Sequence, residues 1–70
     1  MERIPVESSH IESVGYDTQN ARLEIAFTNG NLYEYYDVPQ HIYDEFMSAQ
    51  SKGKYAHQNI YKHFTYQRIG

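Results

Sequence analysis

"RLEIAFTNGNLYEYY", residues Arg22 to Tyr36, decides the fold, because two alternating runs meet there at an Asn-Gly pair. Leu23, Ile25 and Phe27 fall on one face of an extended chain, the pattern of a half-buried strand. Asn29-Gly30 supplies the positive φ of a tight hairpin, and "LYEYY" returns as the partner strand. The length of the turn then sets which face the tyrosines take.

A two-residue turn places Phe27 opposite Leu32, Ile25 opposite Glu34 and Leu23 opposite Tyr36. Tyr33 and Tyr35 are then left on the other face, since directly opposed residues share one. A three-residue loop with Gly30 left-handed and a bulge reverses that parity, and Tyr33 and Tyr35 join Leu23, Ile25 and Phe27. An unpaired buried carboxylate at Glu34 costs several kcal/mol. Each large apolar side chain buried gains roughly 1.5 to 3 kcal/mol. Both terms favour the bulged register. The two-residue register offers only an Arg22–Asp37 pair, worth some tenths of a kcal/mol at a surface. The expectation is therefore core-facing tyrosines with hydroxyls reaching the rim; the alternative is a solvent-facing stacking platform.

Working outward, "IESVGY" (residues 11–16) alternates weakly and reads as a preceding strand, completing a three-stranded antiparallel meander. Pro39 suits a helix's first turn, and Ile42, Tyr43, Phe46, Met47 and Ala49 form one stripe with Asp44 and Glu45 facing away. Gly53 interrupts that pattern. "KYAHQNIYKHF" (residues 54–64) then reads as a second helix capped by Ser51. On it Tyr55, Asn59 and Ile60 share a face, opposite a polar ridge of Lys54, Gln58 and Lys62. "FTYQRI" leaves room for a short C-terminal strand. The expected class is α+β: a small three-stranded antiparallel meander followed by two helices packed on one face, with residues 1–70 in one domain.

Seventy residues bury only about 60% of the surface their unfolded chain exposes. There is no cysteine, which removes disulfides, thiolate zinc sites and thiol nucleophiles and suits a reducing cytoplasm. Met1 to Pro5 lacks the apolar stretch of a signal peptide, and no run approaches the roughly 20 apolar residues of a membrane span. The net charge of −3 conceals a split. All nine acids lie at or before Glu45; against Arg3 and Arg22 they give residues 1–45 a charge of −7. Residues 46–70 carry Lys52, Lys54, Lys62 and Arg68 and no acid, or +4. Cations interleaved with Tyr55, Tyr61, Phe64 and Tyr66 are the pattern of a surface that meets phosphates, although within one domain they also balance its acidic remainder.

Catalytic constellations are missing. His10, His41, His57 and His63 are scattered, and the six-residue gap between the last two does not align ligands on a helical face. Ser8 and Ser9 beside His10 lack a Gly-x-Ser-x-Gly context and read as local backbone caps. Ser51-Lys52-Gly53-Lys54 is too short for a phosphate-binding loop. Nothing in the sequence calls for a metal, a cofactor or an enzymatic role.

Val6-Glu7-Ser8-Ser9, Gly15-Tyr16-Asp17, Leu23 with Phe27, Gly30, Tyr33-Glu34-Tyr35, Val38-Pro39, Ala49, Ser51-Lys52-Gly53-Lys54-Tyr55 and Asn59-Ile60 together resemble the KTSC domain over about residues 6–69. That family is named from the C-terminus of some lysyl-tRNA synthetases and also occurs as a stand-alone small bacterial protein. The resemblance implies no activity. It implies RNA binding by association with the synthetase, not aminoacylation, for which the chain has no catalytic body. Where the family pattern has Phe and Asn after the tyrosine and Arg after the isoleucine, Ala56, His57 and Tyr61 stand here, with one cation fewer.

Two readings follow. In the first, a small RNA-binding module, Lys52, Lys54 and Lys62 contact phosphates with Gln58 and Asn59, while Tyr55 and either Tyr33 or Tyr35 stack on unpaired bases. The overall acidity counts against it. In the second, a protein-interaction module, a strand edge or tyrosine-rich patch docks on a larger enzyme or on a second copy. Eight tyrosines in 70 residues exceed what so small a core absorbs. The oligomeric state is open in both.

Overall fold

The computed structural model describes residues 2–70. Its strands are β1 (Ile4–Pro5), β2 (Ile11–Asp17), β3 (Arg22–Phe27), β4 (Leu32–Tyr35) and β5 (Tyr66–Arg68). They form one antiparallel sheet in chain order, with α1 (Gln40–Ser48) and α2 (Lys52–Asn59) inserted between β4 and β5. The expected meander is the centre of this sheet, and the C-terminal strand is formed. Five strands stand where the sequence predicts three with room for a fourth. The miss at the N-terminus has a local cause: β1 is two residues long and includes Pro5, so it shows no alternation and belongs at an edge, where a missing N–H does no harm.

The hairpin takes the bulged register. Phe27 N–H donates to Asn31 O (2.8 Å) and Gly30 N–H to Phe27 O (3.0 Å), so Thr28, Asn29 and Gly30 form the loop. Gly30 sits at φ +94°, which requires glycine for its backbone although a Cβ there would meet nothing. Leu23 pairs with Tyr35 and Ile25 with Tyr33, placing both tyrosines on the aliphatic face. Glu34 lies opposite Glu24 on the reverse face. Arg3 relieves that like-charge pair by donating to Glu24, which is only 8% exposed. Arg22 pairs with Asp17 in the β2–β3 register rather than with Asp37, and its guanidinium lies 5.6 Å from the Tyr36 ring centre.

A second bulge explains the weak alternation of "IESVGY". Ile11 pairs with Phe27 but Ser13 pairs with Ala26, leaving Glu12 as the extra residue. Ile11 and Val14, three apart, are therefore both fully buried.

The helices close over this face. The Tyr16 hydroxyl donates to Val38 O (2.5 Å) and Val38 N–H donates to Ala21 O (2.8 Å), which fixes the chain entering α1. Tyr16 also stacks on Tyr43 of α1, centroids 4.7 Å apart. Ser51 caps α2 by accepting from Lys54 N–H at 3.3 Å. Phe46, Ala56 and Ile60 complete a core with Ile11, Val14, Leu23, Ile25 and Val38. The second helix ends earlier than the run to Phe64 predicts. The N–H groups of Ile60 and Tyr61 both bond to Ala56 O and His63 N–H bonds to Ile60 O, so the chain tightens into a turn and Lys62 lies beyond the helix.

Candidate functional site: an aromatic groove

The roof of helices leaves one part of the sheet face open. Phe27, Tyr33, Tyr35, Tyr61 and Tyr66, with Asn29 and Asn31 of the hairpin, line a groove of about 300 Å³. The elements dictate this convergence: the bulged hairpin puts Phe27, Tyr33 and Tyr35 on one face, β5 pairs Tyr66 with Tyr35, and the turn after α2 sends Tyr61 back over them.

The rings are mutually ordered. Tyr61 lies 6.1 Å from Tyr35 and within 25° of its plane, and Tyr33 lies 6.4 Å from Tyr35 within 23°. Phe27 meets Tyr33 edge-on at 87° with centroids 5.5 Å apart. Tyr66 sits 5.6 Å from Tyr33 and 5.5 Å from Tyr35. Exposure is graded, from Tyr35 at 3% through half-buried Tyr33 and Tyr61 to Tyr66 at 55%. Burial, and then the neighbouring Tyr61, Tyr33 and Tyr66, hold the Tyr35 hydroxyl well above the usual tyrosine range. Burial alone raises Tyr61. Both therefore stay neutral hydrogen-bond donors at any physiological pH. No carboxylate lines the groove.

The residues singled out in the sequence are distributed unevenly around it. Tyr33 and Tyr35 belong to the groove, Tyr35 as its floor. Tyr55 packs between the helices, stacked on Phe46 at 6.0 Å with its hydroxyl donating to Glu45 Oε1 at 2.8 Å. Burial and that carboxylate push it up to about 12. The Lys52 ammonium donates to Ala49 O (2.7 Å), bracing the α1–α2 connection. The Asn59 amide donates to Tyr55 O (3.1 Å). Lys54, Gln58 and Lys62 are exposed. Sequence reasoning put Phe27 on the core face and counted Tyr61 and Tyr66 only as aromatics among the cations, and it gave the two asparagines no site role. The signal was in the register: once Tyr33 and Tyr35 share the Phe27 face, a fifth strand beside β4 brings Tyr66 to the same place.

One cation shares the face of the groove: Arg68 pairs with Tyr33 in the β4–β5 register. Among the described residues the one ion pair is Arg3–Glu24, so Lys52, Lys54, Lys62 and Arg68 have no acidic partner. No group of His, Asp or Glu in that set could hold a metal ion, and no helix is long and apolar enough to cross a membrane.

The family model for the KTSC domain matches residues 7–64. The chain belongs to the KTSC domain family. The crystal structure of a KTSC domain protein from Yersinia pestis superposes with a TM-score of 0.93 at 44% identity, covering 99% of this chain and 97% of that one. An uncharacterized protein of Stutzerimonas stutzeri is 37% identical over 99% of both chains. A lysine–tRNA ligase of Nostoc sp. is 35% identical over 63 residues, which are 90% of this chain and 11% of the ligase. A KTSC domain is thus found both in chains of this size and as a small part of a synthetase.

Proposed function

We propose that this KTSC domain is a non-catalytic module that binds RNA of the tRNA type weakly, through the basic and aromatic surface of its last third. One observation carries the reading: four cations without acidic partners, one of which, Arg68, shares the face of an open aromatic groove. Lys54, Lys62 and Arg68 meet phosphates, joined by Gln58 on the exposed side of α2, while rings of the groove stack on unpaired bases. Lys52, Tyr55 and Asn59 hold the helices that present this surface. The alignment with lysine–tRNA ligases supports RNA as the ligand class.

With about four cations, log K falls against log salt with a slope no steeper than about −3, so binding is weak at physiological salt. The test is an amide NMR titration of the whole chain with mixed tRNA and with a single-stranded RNA, each at low and physiological salt. Salt-sensitive shifts on residues 51–68 are expected. No shifts at low salt would sink the reading and leave a protein partner as the occupant of the tyrosine-rich surface.

A further inference from the structure

We infer that the corner formed by Phe27, Tyr33 and Tyr66 holds a single unpaired nucleobase, with the side-chain amides of Asn29 and Asn31 against its hydrogen-bonding edge. This rests on the RNA reading above and assigns it a binding site.

The shape is the first argument. Phe27 meets Tyr33 edge-on at 87° with centroids 5.5 Å apart, and Tyr66 lies 5.6 Å from Tyr33 at 40° to it, so three rings of differing inclination converge on one corner of the groove beside its Tyr35 floor. About 300 Å³ lies at the small end of ligand sites, the scale of a single nucleoside.

The rim chemistry is the second. Asn29 Oδ1 accepts from Asn31 N–H at 3.0 Å, which fixes the Asn29 carboxamide and leaves its NH2 free. The Asn31 carboxamide, half-buried, lies on the same rim. One rim thus presents donors and an acceptor beside an aromatic floor, the combination that reads the edge of an unstacked base. The lining is neutral, with the Tyr35 and Tyr61 hydroxyls protonated, so it does not repel a phosphodiester. Arg68, paired with Tyr33 and free of any acid, stands where the adjoining phosphate needs a cation.

A short single-stranded oligoadenylate carrying one fluorescent adenine analogue, titrated into the whole chain at low salt, tests this. Stacking quenches the analogue. Tyr66 is 55% exposed on an edge strand, so its variants fold. Tyr66→Ala is expected to weaken binding roughly tenfold to a hundredfold, and Tyr66→Phe to stay within about twofold of the parent, because the ring carries the effect. An abasic oligonucleotide of the same length is expected to bind as weakly as the oligoadenylate binds Tyr66→Ala. Equal affinity for abasic and oligoadenylate strands, or no effect of Tyr66→Ala, would overturn the base site while leaving phosphate-driven RNA binding standing. Failure of both strands to bind would remove both. Displacement of the groove's amide signals by a proline-rich peptide and not by oligoadenylate would overturn it in favour of a peptide site.

Discussion

The two halves of the sheet's helix-facing surface are built from one register but finished differently. Toward β2 and β3 it is aliphatic: Val14, Leu23 and Ile25 lie fully buried under Phe46, Ala56 and Ile60. Toward β4 and β5 it is aromatic, and exposure rises from Tyr35 to Tyr66 as the helices end. Aliphatic side chains gain nothing from water, so that half is closed; tyrosines can bury a ring and keep a hydroxyl wet, so the other half can stay open. The contrast separates stability from recognition, and substitutions on the two sides should report it.

Phe46→Ala should give the largest effect. The side chain is fully buried and touches both the sheet and Tyr55, so truncation leaves a cavity costing about 3 to 5 kcal/mol. A domain this small has little more than that to lose. Urea denaturation should find the variant unfolded or nearly so. A loss under about 1 kcal/mol would mean that the roofed half does not carry the fold.

Alkali should act next, through the tyrosines. Tyr35 and Tyr61 at the open end, and Tyr55 between the helices, all have pKa values raised above the ordinary 10.0 for tyrosine, Tyr55 to about 12. The folded chain keeps these protons while the unfolded chain releases them, so their stabilisation is fully present below pH 10 and fades as pH climbs through the folded values. Urea midpoints should be flat near about pH 8 to 9 and fall above about pH 10. Tyr35→Phe should flatten that fall without lowering the neutral midpoint much, since the buried ring itself is kept. An unchanged slope in Tyr35→Phe would mean that the groove floor is less buried than its 3% exposure states.

Gly30→Ala probes the step that put the tyrosines on this face. At φ +94° an alanine is strained by about 1 to 2 kcal/mol even though its Cβ has open space. The expected result is a lower urea midpoint with tyrosine near-ultraviolet signals unchanged. Loss of those signals would mean that the loop, rather than burial of Tyr35, holds the register.

Much of this architecture could be read from the chain, and the rest had local causes. The β3–β4 parity followed from Glu34, because a carboxylate among aliphatics is too costly to bury, and Glu34 does face away, opposite Glu24. The Ser51 cap was legible from its place before Gly53. β1 was invisible because two residues carry no period, and β2 looked irregular because the bulge at Glu12 breaks the alternation. The end of α2 had no glycine or proline to mark it; the Ala56 carbonyl stops it by accepting two N–H groups. The groove was half legible. Strand periodicity assigns Tyr33 and Tyr35 to a face, but whether that face is roofed depends on how far the helices reach, which no local pattern states. The charge split had the same limit: the cations were countable, yet only the β4–β5 pairing places Arg68 beside Tyr33.

Tyr66→Ala should have the smallest effect on stability, and this makes it the sharpest probe of the contrast. Tyr66 belongs to a three-residue edge strand, is more than half exposed, and touches Tyr33 and Tyr35 on one side only. Its cross-strand contact with Tyr35 contributes about 0.2 to 1 kcal/mol relative to alanine, and little transfer energy is added because the ring is largely wet. A urea midpoint close to the parent's is therefore expected, against the collapse of Phe46→Ala at the other end of the same face. If Tyr66→Ala were as damaging as Phe46→Ala, the aromatic half would be core like the aliphatic half. A midpoint near the parent's leaves an exposed ring that the fold does not need, the condition under which a ligand can use it.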